Sequence, residues 1–155
     1  MTSPKHLAAT LLVALAAATQ AATTPIPPSF DSAGADRQAI DALLDTYTRA
    51  VSTKDQPLFE TLLLSRDIPF SDTDSAIKGG DTHHYDRFRQ GVFAGAPFTQ
   101  KFQDVHVTQD GPLAQVSLVF VNTADGRSTW GWKTLQLLKV GGQWKIASEF
   151  YTGHA

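Results

Sequence analysis

The chain contains no cysteine, and its only methionine is the initiator. Without thiols it holds no disulfide, offers no cysteine ligand to zinc, and has no cleavage-site cysteine to carry a lipid. Sulfur oxidation is closed to the mature chain as well. Basic clusters are also missing. The 155 residues carry 13 Lys and Arg against 15 Asp and Glu, a formal charge of −2. Nucleic acid and acidic membrane surfaces both select a positive footprint, so neither is expected as a partner. The glycine pairs Gly79-Gly80 and Gly141-Gly142 lack the strand–loop–helix setting of a phosphate cradle. No Ser, His and acid fall in a nucleophile motif.

What is present starts with a leader. Lys5 and His6 precede an apolar run, Leu7 to Ala18, followed by small residues at Thr19, Ala21 and Ala22. That order reads as a secretory signal peptide, and the run is short of the roughly 20 residues a bilayer span takes. No later stretch is long and apolar enough to cross. The expected organisation is a signal peptide over 1–21, an extended tether over 22–35, and one domain over 36–155. Pro25, Pro27 and Pro28 keep the tether from packing. Export without disulfides fits a periplasmic or secreted protein.

Hydrophobic spacing then sets the elements. Ile40, Leu43, Leu44, Tyr47 and Val51 recur at three and four, which puts them on one helical face behind an Asp36 N-cap. Asp55 caps a second helix, with Pro57 in its first turn and Leu58, Phe59 and Leu62 to Leu64 on its buried side. Asp67 to Ser71 is a short strand. Ser71 to Gly80 is polar and reads as a mobile loop. Asp81 offers a third N-cap, before Tyr85, Phe88, Val92 and Phe93, with Gly95 as the stop. The remainder alternates with period two. Strands are expected over 102–108, 113–122, 128–140 and 143–151, with turns at Asp110-Gly111, Asp125-Gly126 and Gly141-Gly142. Consecutive hairpins make an antiparallel meander.

Two stretches carry a family resemblance. Leu43, Tyr47, Ala50, Val51, Lys54-Asp55 and Leu58 resemble the helical opening of the nuclear-transport-factor-2-like superfamily, especially its SnoaL-like branches. Lys139-Val140-Gly141-Gly142-Gln143-Trp144-Lys145-Ile146 is similar to that superfamily's last hairpin. The resemblance covers about Asp36 to Thr152. It implies an α+β cystatin-like cone, with N-terminal helices packed in a strongly curved antiparallel sheet, an interior cavity, and homodimers through the sheet's outer face. It implies no single activity, because the superfamily includes isomerases, dehydratases and members without catalysis.

Several residues are candidates for chemistry. Asp104 and His106 lie two apart on one strand and so share a face. If that face lined the cavity, the pair would suit proton transfer. If Val105 and Val107 face inward instead, both are solvated, and the alternation with two valines favours this. Tyr47 is the candidate to polarise a carbonyl. His83 and His84 are adjacent in sequence and diverge on a helix, so no metal site is expected; no cofactor is expected either. His154, beside the terminus, is expected to fray. The expected pocket lining is Tyr47, Phe70, Phe88, Phe120, Asn122, Trp130, Trp132 and Ser148, with Ser148 sharing the face of Trp144 and Ile146. Gly131 between two tryptophans leaves a bare spot for another backbone or a dimer partner. Val119 and Val121 face away from the presumed interior.

Three readings follow. The leading one is an exported domain that binds a small hydrophobic or mixed-polarity molecule without committed catalysis. The second is an isomerase- or dehydratase-type enzyme using Asp104, His106 and Tyr47. The third is a protein-interaction module.

Overall fold

The computed structural model describes residues 29–154; the expected signal peptide and most of the expected tether lie outside them. The end of the tether is part of the fold. Asp31 bridges to Thr108, and the Phe30 carbonyl accepts from the Gln109 N–H.

Helix α1 (Gly34–Ser52) buries Ile40, Leu43, Leu44, Tyr47, Ala50 and Val51, the face its spacing predicts. Its N-cap is Ala33, and no side chain caps it. Asp36, expected to cap, sits in the first turn, and its carboxylate is taken elsewhere. It accepts from Lys139 Nζ at 2.6 Å, Gln109 Nε2 at 2.9 Å and Trp144 Nε1 at 3.3 Å. One acid thus clamps the helix start to the sheet.

Helix α2 (Gln56–Glu60) is a single turn whose Asp55 cap accepts from the Leu58 N–H at 3.0 Å, as expected. Phe59, Leu62 and Leu63 enter the core, but Leu64 stays exposed. Strand β1 (Phe70–Asp72) follows. The expected loop beyond it contains helix α3 (Thr73–Gly79), capped by Asp72 through the Ser75 N–H and closed by Gly80 at φ +64. None of its residues is buried, so no apolar periodicity announced it; the Asp-x-x-Ser cap was the available signal. Helix α4 (Tyr85–Phe93) starts later than expected. Asp81 accepts from the His83 N–H at 3.0 Å in a turn ahead of the helix, and His84 holds the N-cap position without capping. Tyr85 and Phe88 are its buried side.

Strands β2 (Thr99–Asp110), β3 (Leu113–Ala124), β4 (Arg127–Val140) and β5 (Gln143–Tyr151) form the expected meander. The sheet order is β1-β5-β4-β3-β2. The expectation of a wholly antiparallel sheet needs one correction: β1 pairs with β5 in parallel, because the crossover between them runs through the rest of the chain. The sheet curls around the helices without closing, and the inward side chains of β3 (Ala114, Val116, Leu118, Phe120) meet α1 and α2 in one core.

Two irregularities decide what faces inward. In β2 the register slips between Gln103 and His106, where Asp104 sits at φ +50. In β5 it slips at Ala147: Ile146 opposes Leu137 and Ser148 opposes Gln136, leaving Ala147 extra. Such a bulge reverses the inside–outside alternation beyond it.

Gly131 faces inward in β4. A Cβ there would lie 2.0 Å from the Thr152 carbonyl oxygen and 2.6 Å from the Phe120 ring. The bare spot read from the sequence is therefore filled by this chain's own backbone and Phe120.

Candidate functional site

Strand β4 alternates Gly131, Lys133, Leu135 and Leu137 toward the core. That register carries a lysine into the interior with 2 % exposure. The Ala147 bulge then turns Glu149 inward beside it, and Tyr47 reaches both from α1. Lys133 Nζ lies 2.5 Å from Glu149 Oε1 and donates to the Tyr47 hydroxyl. Tyr47 in turn donates to Glu149 Oε1 at 2.8 Å.

The ammonium is ringed by aromatic groups. It sits 4.3 Å from the Tyr47 ring centroid, 5.3 Å from Phe120, 5.4 Å from Tyr151, 5.7 Å from Phe102 and 5.9 Å from Phe88. Cation–π attraction offsets part of its lost hydration. Burial pushes the Lys133 amine below its ordinary value, opposed by the Glu149 charge. Burial likewise raises the Glu149 carboxyl against the pull of Lys133 and the Tyr47 hydrogen bond. The Tyr47 phenol is held well above its ordinary range by burial and then by Glu149. Each partner shifts toward neutrality because low-dielectric surroundings penalise charge. At 2.5 Å, with Tyr47 bonded to both, the attraction between Lys133 and Glu149 opposes that shift, so each group depends on the other.

Beside this triad is a cavity of about 210 Å³, lined by Phe88, Val92, Phe98, Gln100, Phe120, Asn122, Lys133 and Tyr151. Gln100 Nε2 donates to Asn122 Oδ1 at 2.8 Å, but Gln100 Oε1 has no partner among the described residues. Glu149 Oε2 is the other buried oxygen in that condition. Larger depressions lie elsewhere, such as one of about 560 Å³ between Asp72 and Arg87, but that one is an open cleft with charged walls. Apolar walls with a few convergent polar groups are the mark of a small-molecule site, and the inner cavity combines them with the buried Lys133.

Of the residues singled out in the sequence, Phe88, Phe120 and Asn122 line this cavity. Tyr47 lies behind it, bonded to Lys133, and Phe70 is wholly buried between Phe59 and Phe88. Trp130 and Trp132 do not line it. They alternate with inward Gly131 and Lys133 and so stand on the outer face, 48 % and 52 % exposed. Ser148 is displaced too, because the Ala147 bulge gives the inner position to Glu149. Asp104 and His106 are both exposed, since Val105 and Val107 take the inward places after the bulge.

His83 and His84 both approach Asp81, at 3.4 Å and 3.5 Å. His84 Nδ1 also lies 2.7 Å from Ser71 Oγ, a serine–histidine–acid chain in outline. Ser71 is 1 % exposed and its hydroxyl donates to the Asp72 carbonyl, so it presents no nucleophile. No group of three His, Asp or Glu converges among the described residues. His154, expected to fray, exchanges backbone hydrogen bonds with Trp130, and their ring centroids lie 4.4 Å apart at a tilt of 33°.

Lys133, Glu149 and Gln100 are site residues beyond those expected from the sequence. Lys133 is legible as a charge set between Gly131 and Leu135 in the inward register of β4. Gln100 lay outside the expected strand, and Glu149 depended on a bulge with no local sequence mark.

No family model matches this chain, and no curated protein does. Solved structures do. An NTF2-like protein of unknown function from Pseudomonas putida is 19 % identical over 76 % of this chain and 86 % of its own, with a TM-score of 0.59. A Nostoc punctiforme protein of unknown function with a cystatin-like fold is 10 % identical, over 79 % and 94 %, at 0.62. A Novosphingobium aromaticivorans protein, provisionally named a scytalone dehydratase, is 14 % identical, over 77 % and 85 %, at 0.62. The chain therefore has the nuclear-transport-factor-2-like, cystatin-like fold, as its helical opening and last hairpin implied.

Proposed function

We propose that this chain is an exported small-molecule-binding domain whose ligand occupies the inner cavity. The observation carrying this reading is the cavity lining: Phe88, Val92, Phe98, Phe120 and Tyr151 as walls, with Gln100, Asn122 and Lys133 as the polar groups. Export rests on the leader pattern, Lys5 to Ala22. Dimerisation through the outer sheet face is part of the proposal. It is supported by cross-strand pairs of Val119 with Trp132 and Val121 with Trp130 on that face.

A second reading, an acid–base enzyme of the dehydratase or isomerase type, draws on the buried Lys133–Glu149–Tyr47 triad beside the cavity and on the provisional name of one structural neighbour. Under it Lys133 would handle the proton; Asp104 and His106, exposed on β2, fall out of the mechanism.

Native mass spectrometry of the mature protein tests the binding reading. A copurifying small-molecule adduct is expected, and the cavity-filling Val92→Phe variant should lose it. A bare mass, together with no thermal shift across a small-molecule library, would end the reading. Turnover of the released adduct that disappears in Lys133→Met would favour the enzyme.

A further inference from the structure

Gln100 is 7 % exposed, and every polar atom of its side chain is accounted for except one. Its Nε2 donates to Asn122 Oδ1 at 2.8 Å, and its backbone N–H donates to Ser52 Oγ at 2.9 Å. The amide is thereby held in place while Oε1, an acceptor, is buried with no partner among the described residues. Buried acceptors are ordinarily satisfied, and leaving one empty costs free energy that a matching donor restores. Gln100 lines the cavity. The missing donor therefore has to come from whatever enters it.

Lys133 lines the same cavity. An ammonium has three N–H donors; one meets Glu149 and one meets Tyr47. The third has no protein partner among the described residues. A hydroxyl answers both needs, because its hydrogen can go to an amide oxygen while its oxygen accepts from an ammonium.

Charge and size narrow the class. Lys133 is already neutralised by Glu149 at 2.5 Å, so a ligand bringing its own charge would bury it uncompensated, which is unfavourable. A dry cavity of about 150 Å³ holds benzene; about 210 Å³ suits one ring with a small substituent.

We propose that the cavity takes a neutral, single-ring compound bearing a hydroxyl group, and that Gln100 is the residue selecting that hydroxyl. The proposal rests on the cavity being the ligand site.

The test uses four probes on the mature protein, followed by calorimetry or chemical-shift titration: benzyl alcohol, its isomer anisole, toluene and benzoate. Benzyl alcohol and anisole share one formula, but only the first donates a hydrogen bond. Benzyl alcohol is expected to bind about tenfold tighter than anisole, the ratio one buried donor–acceptor pair yields. Benzoate should bind more weakly still. Gln100→Leu combined with Asn122→Leu, so that the Asn122 Oδ1 bonded to Gln100 is not freed in its turn, should bring the two isomers to within about twofold while keeping toluene binding, because the pair removes the acceptors and little volume.

Equal affinity for the isomers on the unaltered protein, with toluene bound, would overturn the hydroxyl assignment and leave the cavity reading standing. Benzoate binding tighter than benzyl alcohol would overturn neutrality. No binding by any probe, or binding that Val92→Phe does not diminish, would remove the cavity reading itself. The isomer comparison needs no variant, so a doubly substituted protein that failed to fold would leave it decisive.

Discussion

Lys133 and Glu149 form an ion pair at 2.5 Å with 2 % and 0 % side-chain exposure, on adjacent strands two positions out of register. Lys133 opposes Tyr151 directly, and Glu149 opposes Leu135. The contact is thus diagonal, across the inner face of the sheet. Removing one member leaves the other as a buried, uncompensated charge, which costs about 3–5 kcal/mol. Lys133→Met is expected to lose stability on that scale, whereas Lys133→Met with Glu149→Leu should recover most of it. Urea unfolding of the three proteins checks this; a single variant as stable as the parent would refute the arrangement.

All three tyrosines have phenol groups raised above their ordinary value near 10, burial being the largest cause at each. Tyr47 is further raised by Glu149, Tyr85 by its hydrogen bond to Glu60, and Tyr151 by Glu149. Above the ordinary value the unfolded chain releases protons that the folded chain retains. Stability is therefore present in full below about pH 10 and falls as pH rises beyond it. Tyrosinate absorbance and loss of far-ultraviolet circular dichroism should appear together in an alkaline titration. Tyrosinate forming while the dichroism stays native would contradict this burial.

Asp36 gives the opposite limb. Its carboxyl is held below the ordinary value chiefly by the Lys139 hydrogen bond, then by Gln109. A depressed folded value means stability that is present above the unfolded pKa of about 3.8 and is lost as pH falls through the folded one. Asp36→Asn should lower the melting temperature near neutrality and flatten its decline in acid. Parallel melting curves for the two proteins from pH 6 down to pH 2 would count against the clamp.

Trp130 and Trp132 stand exposed beside Val121 and Val119 on the outer sheet face. If that patch joins two copies, Trp132→Glu should place like charges at the interface and shift the protein to monomer. Light scattering coupled to gel filtration reads the change. A parent protein already monomeric at high concentration would dispose of the pairing.

Much of this fold could be read from residue spacing. The face of α1 came from apolar residues three and four apart, and the hairpins from Asp-Gly and Gly-Gly turns between alternating strands. The failures have local causes. Helix α3 buries nothing, so periodicity had no face to report. Asp36 and Asp81 looked like caps, but a carboxylate near a helix start is equally free to bind a lysine or close a turn. The site was harder. Phe120 and Asn122 follow strand alternation and Phe88 follows helical spacing, and Lys133 obeys the same alternation as Phe120. Ser148 and Glu149 exchanged positions because one extra residue lies between them and Ile146. Strict alternation cannot anticipate that.

The Ala147 bulge also makes the polarity of the interior depend on backbone pairing. Were Ala147 to take a place in the ladder, Ser148 would move opposite Leu135 and point inward while Glu149 met solvent, stranding Lys133 without its counter-ion. Deleting the alanine would instead leave Glu149 opposite Leu135, in a plain ladder with the same acid inside. One residue set aside from the pairing, as much as any side chain, writes the chemistry of this enclosure.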